Sequence, residues 1–232
     1  MTRLGIVTGM QFEADIIRAE LTKAGAPDTI IVACAGPSYM AARRTATRLL
    51  DEGSEALLSF GIAGALIEGV KSGTLLIAGQ VINWSDTVET DKAWMARMTQ
   101  ALGQSAFPTQ TGNLAHSDPP AVSPGDKRSL HIQTKALGVD MESFGVGEIA
   151  RDRGAPFLTL RVVADGATRM LPSSALEATN ADGSVSTARA LTALALHPWE
   201  LADMVRLGLQ TGAARRTLRN LALLGTPRHF FL

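Results

Sequence analysis

Short apolar runs alternate with longer stretches of helical spacing, and this alternation constrains the fold of the chain more than any other feature. "RLGIVT" (3–8) reads as a buried strand. "GMQFEADIIRAELTKAG" follows, with Phe12, Ile16, Ile17 and Leu21 near helical spacing and Gly25 as a stop. "TIIVAC" (29–34) is a second strand, and "GPSYMAARRTATRLLDEG" a second helix with Pro37 in its first turn. "ALLSF" (56–60) is a third strand ending in a glycine turn, "GIAGAL", and "GTLLIAGQVI" (73–82) a fourth. "LGVDM" and "PFLTLRVVAD" (156–165) are two more, with the helix "ESFGVGEIARDRG" between them. Strand–helix alternation of this kind predicts a largely parallel sheet with helices on both faces. Residues 103–128 are rich in Pro, Gly, Ser and Asn and read as a long loop, either a binding lid or a disordered excursion. From residue 186 onward three helices are expected: "STARALTALAL", "PWELADMVRLGLQ" and "AARRTLRNLALLG".

The expected architecture is thus a single α/β domain over residues 1–232. Its centre is a mixed, mostly parallel sheet flanked by helices, and residues 186–232 form a helical C-terminal extension. A chain of 232 residues, 46% of them hydrophobic, buries enough core for one such domain. The 22 basic and 22 acidic residues cancel, which leaves no global field to attract nucleic acid. Cys34 is the only cysteine, which excludes disulfides within the chain and fits a cytoplasmic setting. The start, "MTRLGIVTGM", lacks the features of a signal peptide, and no apolar run suffices to span a bilayer. His116, His131, His197 and His229 are scattered, so no metal site is expected. The tail differs from the rest in charge: Arg206, Arg215, Arg216, Arg219 and Arg228 face only Glu200 and Asp203, with "HFFL" at the end. A solvated helical face with a packed terminus accounts for it. The sharper reading is peripheral contact with a membrane surface or a lipid-like ligand.

Ligands of parallel α/β sheets bind at strand ends, so acids there carry weight. Glu13 follows the first strand, Asp140 and Glu142 end "ALGVDM", and Asp165 ends "PFLTLRVVAD". Each has a plainer reading as a carboxylate stabilised at a helix N-terminus, and taken singly Glu13 and Glu142 are better read that way. Together they point to one crevice. A bidentate carboxylate suits a vicinal diol such as the ribose hydroxyls, and Met141 offers a soft wall for a sugar face. Arg161 lies four residues before Asp165 on the same strand face and is a candidate ion-pair partner for it. Gly61 and Gly64 let backbone amides approach a ligand, or form a tight strand-to-helix turn. "GVGEIA" (145–150) competes as a dinucleotide fingerprint, with Asp165 twenty residues beyond Gly145. Here, however, Asp140 and Glu142 occupy the turn where pyrophosphate must meet free amides. An NAD-type oxidoreductase and a non-catalytic nucleoside sensor are the alternatives to a nucleoside-cleaving enzyme.

"GIVTGMQFEAD", "SFGIAGAL", "GVDMES" and "LRVVADGA" resemble, in order and spacing, the purine nucleoside and uridine phosphorylase superfamily. They are most similar to its methylthioadenosine/adenosylhomocysteine nucleosidase branch, over roughly residues 3–170. The resemblance implies that Glu142, with Met141 and Asp140, grips the ribose. Asp165 would donate a proton at purine N7, and Glu13 would position or deprotonate the nucleophile. Gly9 and the backbone of Gly61, Ile62 and Ala63 would border the nucleophile pocket, and Pro120, Ala121 and Val122 of "HSDPPAV" would cover the base. It implies no cofactor, with inorganic phosphate as the one co-substrate to consider, and a homo-oligomer. Ile62 stands where the resembled enzymes have serine, and the arginine that hexameric phosphorylases carry near Ser59 is absent. Arg43 or Arg44 on the neighbouring helix would then supply charge for phosphate, with water as the competing nucleophile. The tail from "LPSSALEATNADGSVS" onward resembles the hopanoid-associated phosphorylase subgroup, which implies adenosylhopane as substrate, adenine as leaving group, and an apolar channel for the triterpenoid.

Overall fold

The computed structural model describes residues 3–25, 29–103 and 105–225. Along the chain run β1 (Leu4–Thr8), α1 (Gln11–Lys23), β2 (Ile30–Cys34), α2 (Tyr39–Asp51), β3 (Ala56–Ala65), β4 (Leu75–Asn83), β5 (Asp86–Glu89) and α3 (Lys92–Leu102). They are followed by β6 (Thr109–His116), α4 (Pro124–Thr134), β7 (Gly138–Asp140), α5 (Ser143–Arg153) and β8 (Phe157–Asp165). The chain then turns helical, with α6 (Ser173–Ala178), α7 (Thr187–Leu196), a 3-10 turn (Pro198–Glu200) and α8 (Leu201–Gly225).

The strands form one mixed sheet in the order β2-β1-β3-β7-β6-β4-β5, and β8 pairs with both β3 and β4. β8 therefore closes a circuit through β3, β7, β6 and β4. It is parallel to β3 and antiparallel to β4, and every one of its residues is buried. A strand covered on all sides must be apolar nearly throughout. "FLTLRVVAD" meets that demand except at Arg161 and Asp165, which need partners inside the protein. Leu4, Ile6, Phe60, Leu158 and Leu160 pack on one side of the sheet with Ile17 of α1, Trp94 of α3 and Leu218 of α8. Val7, Leu57, Val81 and Phe157 pack on the other with Ala46 and Leu49 of α2 and Phe144 and Val146 of α5.

Four expectations are corrected. "GIAGAL" is no turn, because β3 continues through Gly61 and Gly64 to Ala65. Pro37 lies outside the second helix, which Ser38 precedes as N-cap. Residues 103–128 are no long loop: β6 lies between β4 and β7, and α4 begins at Pro124 behind a Ser123–Asp126 capping box. The last two expected helices are the single helix α8. Its second half supplies Ala214, Leu218, Leu221 and Ala222 to the core, while Leu201, Val205 and Leu209 of its first half are exposed. Arg228 and the "HFFL" segment lie outside the described residues. Among the described residues no helix is long and apolar enough to cross a membrane.

Candidate active site

Glu13 is the third residue of α1 and 1% exposed. Its Oε2 accepts the backbone N–H groups of Gly9 (3.0 Å) and Met10 (2.9 Å), and its Oε1 accepts that of Ile62 (2.8 Å). The turn out of β1 and the middle of β3 thus fix one carboxylate from two sides. Burial raises the pKa of Glu13, opposed by the Arg161 guanidinium and these three amides. A Cβ at Gly61 would lie 2.5 Å from Arg161 Nη1 and 2.6 Å from Glu13 Oε1. A Cβ at Gly9 would lie 2.5 Å from Glu142 Oε1. Both positions need glycine because charged side chains press against the backbone there.

Arg161, also 1% exposed, is the centre of the arrangement. Its Nε sits 2.6 Å from Asp140 Oδ2 and its Nη2 sits 3.2 Å from Glu142 Oε2. It also donates to Ser143 Oγ (3.1 Å), Ser59 Oγ (2.7 Å) and the Ile62 carbonyl (3.4 Å). Asp140 further accepts the backbone N–H and the hydroxyl of Ser143 at the start of α5. Asp140 is therefore spent on holding Arg161 and the helix start, rather than free to face a sugar. Glu142, at the N-cap of α5, is buried against Gly9, and Met141 beside it is half-buried. Arg161 does not pair with Asp165: its acidic partners come from β7 and the start of α5, and its remaining acceptors from α5 and β3.

Asp165 pairs instead with Lys127 of α4, a residue that no motif singles out. Lys127 is 1% exposed, and its Nζ also donates to the carbonyls of Gly166 (3.0 Å) and Arg169 (2.9 Å). Burial raises the pKa of Asp165 and the lysine opposes that rise. On β3, Gly61 is in register with Arg161 and Gly64 with Asp165, across an irregularity at Ala63/Gly64. The two charged groups are therefore about three strand residues, roughly 10 Å, apart.

Ala121 is buried against Leu66, Ala115, Leu130, Ala136 and Val139, while Pro120 and Val122 are half-buried. The Val122 carbonyl accepts the N–H of Leu171, tying this segment to the loop after Asp165. A second group, named in the sequence only as one of four scattered histidines, stands beside Asp140. His116, its register neighbour on β6, packs against Tyr39 (centroids 5.3 Å) and Phe144 (5.7 Å). Burial lowers the pKa of His116, so its ring is neutral near pH 7. Arg43 is ion-paired with Glu148 (3.0 Å) and Arg44 is exposed, so neither brings charge to Glu13. Gly145 and Gly147 lie inside α5, where a Cβ would strike the Tyr39 carbonyl at 2.8 Å and Phe157 at 2.6 Å. They serve close packing and do not form a pyrophosphate turn.

Three acids around one guanidinium leave an excess of negative charge. The pKa of Glu142 is pushed up to about 8, first by burial and then by Asp140 and Glu13, against the pull of Arg161. A carboxyl that holds its proton more tightly when folded makes the folded protein bind more protons than the unfolded chain, so its stability contribution falls as pH rises. The melting temperature of the free protein is expected to fall between about pH 5 and about pH 8. Glu142→Gln should remove about one proton's share of that slope. An equal slope in both proteins would show that Glu142 titrates normally.

The model of the family described as Phosphorylase superfamily matches residues 3–196. No curated protein sequence matches the chain. Among solved structures, a 5′-methylthioadenosine/S-adenosylhomocysteine nucleosidase from Helicobacter pylori is similar with a TM-score of 0.65 and 24% identity, over 72% of this chain and 86% of that one. A futalosine hydrolase mutant from Helicobacter pylori gives 0.63 and 23%, over 70% and 89%. A 5′-methylthioadenosine/S-adenosylhomocysteine nucleosidase from S. pneumoniae gives 0.71 and 17%, over 96% and 98%. At these identities the likeness is one of fold.

Proposed function

The chain belongs to the phosphorylase superfamily, and from that premise we propose that it cleaves the N-glycosidic bond of a purine nucleoside with water as the nucleophile. The observation that carries this reading is the gathering of Glu13, Asp140 and Glu142 around Arg161, with Asp165 a few residues along the same strand.

Breaking the bond between C1′ and N9 builds positive charge on the ribose and negative charge on the base. Buried carboxylates stabilise the first and protonation at N7 relieves the second. In the proposed course Glu142 accepts the ribose hydroxyls. Glu13, held by three amides, takes the proton of the attacking water. The electron pair of the broken bond goes to the base, which takes a proton from Asp165. Water supplies the oxygen on C1′, so the step balances without a cofactor.

The charge count favours water over phosphate. Among the described residues two cationic side chains are buried, Lys127 and Arg161. Lys127 is committed to Asp165, and Arg161 already faces three acids. A phosphate dianion entering beside Glu13 meets net negative charge in a low-dielectric site. Adenine release from 5′-methylthioadenosine or adenosine is expected at the same rate in phosphate-free buffer as in phosphate. Strict dependence on phosphate, with ribose 1-phosphate as product, would overturn water as nucleophile.

For the 5′-substituent we propose a large apolar group, as in adenosylhopane. The support is a run of exposed apolar side chains in the helical extension: Leu191, Leu196, Trp199, Leu201, Val205 and Leu209. Arg189 and Arg206 lie in the same segment, a composition suited to peripheral contact with a lipid surface. Adenine release from adenosylhopane, set against release from 5′-methylthioadenosine, tests it; turnover of the soluble nucleoside alone would reject it.

A further inference from the structure

Lys127 is the least expected side chain in the core. Burying an ammonium group is costly unless it is paired and fully hydrogen-bonded. Here all three donors of Nζ have acceptors: the Asp165 carboxylate and the carbonyls of Gly166 and Arg169. Three acceptors are what a protonated lysine needs. The resting pair is therefore an ammonium beside a carboxylate, and the group placed to protonate N7 holds no proton of its own. We infer that Lys127 and Asp165 work as one proton-donating unit, in which Lys127 stores the proton that reaches the departing base through Asp165. This rests on the glycosidic reading of the site and deepens it.

The transfer is a relay. As the bond from C1′ to N9 breaks, its electron pair makes the purine more basic. N7 takes a proton from Asp165, and Asp165 takes one from Nζ, leaving a neutral amine that keeps hydrogen bonds to the loop carbonyls. Solvent reprotonates the pair once the base has left. Burial raises the proton affinity of Asp165, which favours movement of the proton within the pair. Lys127 touches the reacting atoms only through Asp165, so it is a positioning residue.

The other charged groups around the pair are accounted for. On α4, Asp126 closes the capping box with Ser123, Arg128 is exposed, and His131 Nδ1 lies 2.8 Å from the Ala136 carbonyl. In the loop after β8, Arg169 offers its carbonyl and its side chain is exposed. On β3 and β7 the neighbours are Gly64 and Val139, both uncharged. On β8 itself Arg161 is bound to Asp140 and Glu142.

The experiment is a rate–pH profile of adenine release, using whichever of adenosine and 5′-methylthioadenosine the wild type turns over faster. The wild-type pair keeps its transferable proton until the lysine gives it up. In Lys127→Met a lone carboxyl must keep it. The alkaline limb of kcat should therefore move to lower pH by about one unit or more, because a lone carboxyl has no cationic partner from which to renew its proton. On the acid side of that limb the variant should retain activity. A variant slowed equally at every pH, or not at all, overturns the inference: Lys127 is then a loop anchor or a bystander. Should Lys127→Met fail to fold, Lys127→Gln keeps donors for the Gly166 and Arg169 carbonyls, carries no ionisable proton, and is read in the same way. A wild type that releases no adenine at any pH from these two nucleosides or from adenosylhopane overturns the glycosidic reading and this inference with it; an active wild type with an unmoved limb in the variant overturns this inference alone.

Discussion

Asp165→Asn is expected to lower kcat for base release by about 10²–10⁴-fold, the usual worth of a well-placed general acid and roughly 3–5 kcal/mol of barrier. Asparagine has nearly the same shape and can still hydrogen-bond the purine, but it has no proton to give. KM should therefore change much less than kcat, the signature of an interaction made only in the transition state. The substitution also leaves Lys127 buried without its counter-ion. The lysine keeps its hydrogen bonds to the Gly166 and Arg169 carbonyls, so the variant loses stability but keeps the fold. Circular dichroism at the assay temperature checks that point. Near-wild-type kcat in a folded variant would remove Asp165 from the mechanism.

The strands that carry the acids were legible because burial demands of them a nearly unbroken apolar run. "LRVVAD" could only be an interior strand, and its two charges therefore had to matter. The partners of those charges were not legible. Arg161 and Asp165 share a strand face, and an ion pair between them was the local expectation. Strand order decided otherwise, since β3, β7 and the start of α5 bring Ser59, Asp140, Glu142 and Ser143 to the guanidinium and α4 brings Lys127 to the carboxylate. Such contacts span up to about a hundred residues of sequence, and no periodicity encodes them.

β6 was hidden for a related reason. "TQTGNLAH" is polar and does not alternate, and only its last three residues are buried. Its place in the sheet comes from backbone hydrogen bonds to β4 and β7, which composition does not reveal. Reading this region as loop also hid α4, and with it Lys127. The glycines of "GIAGAL" misled in the opposite direction. Gly61 is there because Arg161 and Glu13 fill the space of a side chain, and a tight turn and a crowded strand leave the same mark in a sequence.

Arg161→Met should be the most destabilising single change in the site. The substitution matches much of the volume and removes the one cation facing Glu13, Asp140 and Glu142, all buried. Breaking a buried ion pair from one side costs about 3–5 kcal/mol, because the remaining charges are left unpaired in a medium that solvates them poorly. That is a large part of the 5–15 kcal/mol typical of a folded domain. Ser59 and Ser143 would also lose a hydrogen-bond donor. The deficit should depend on pH in a definite direction. Orphaned carboxylates are relieved by protonation, so the variant should gain stability relative to wild type as pH falls from about 8 to about 5. A hole in the packing would show no such recovery. Glu142→Gln placed on the Arg161→Met background should restore part of the loss at about pH 8, since it removes one of the unpaired charges. Urea unfolding at both pH values measures both effects. An Arg161→Met protein as stable as wild type at the higher pH would mean that the acids are already neutral in the resting protein. They would then be unable to stabilise a ribosyl cation.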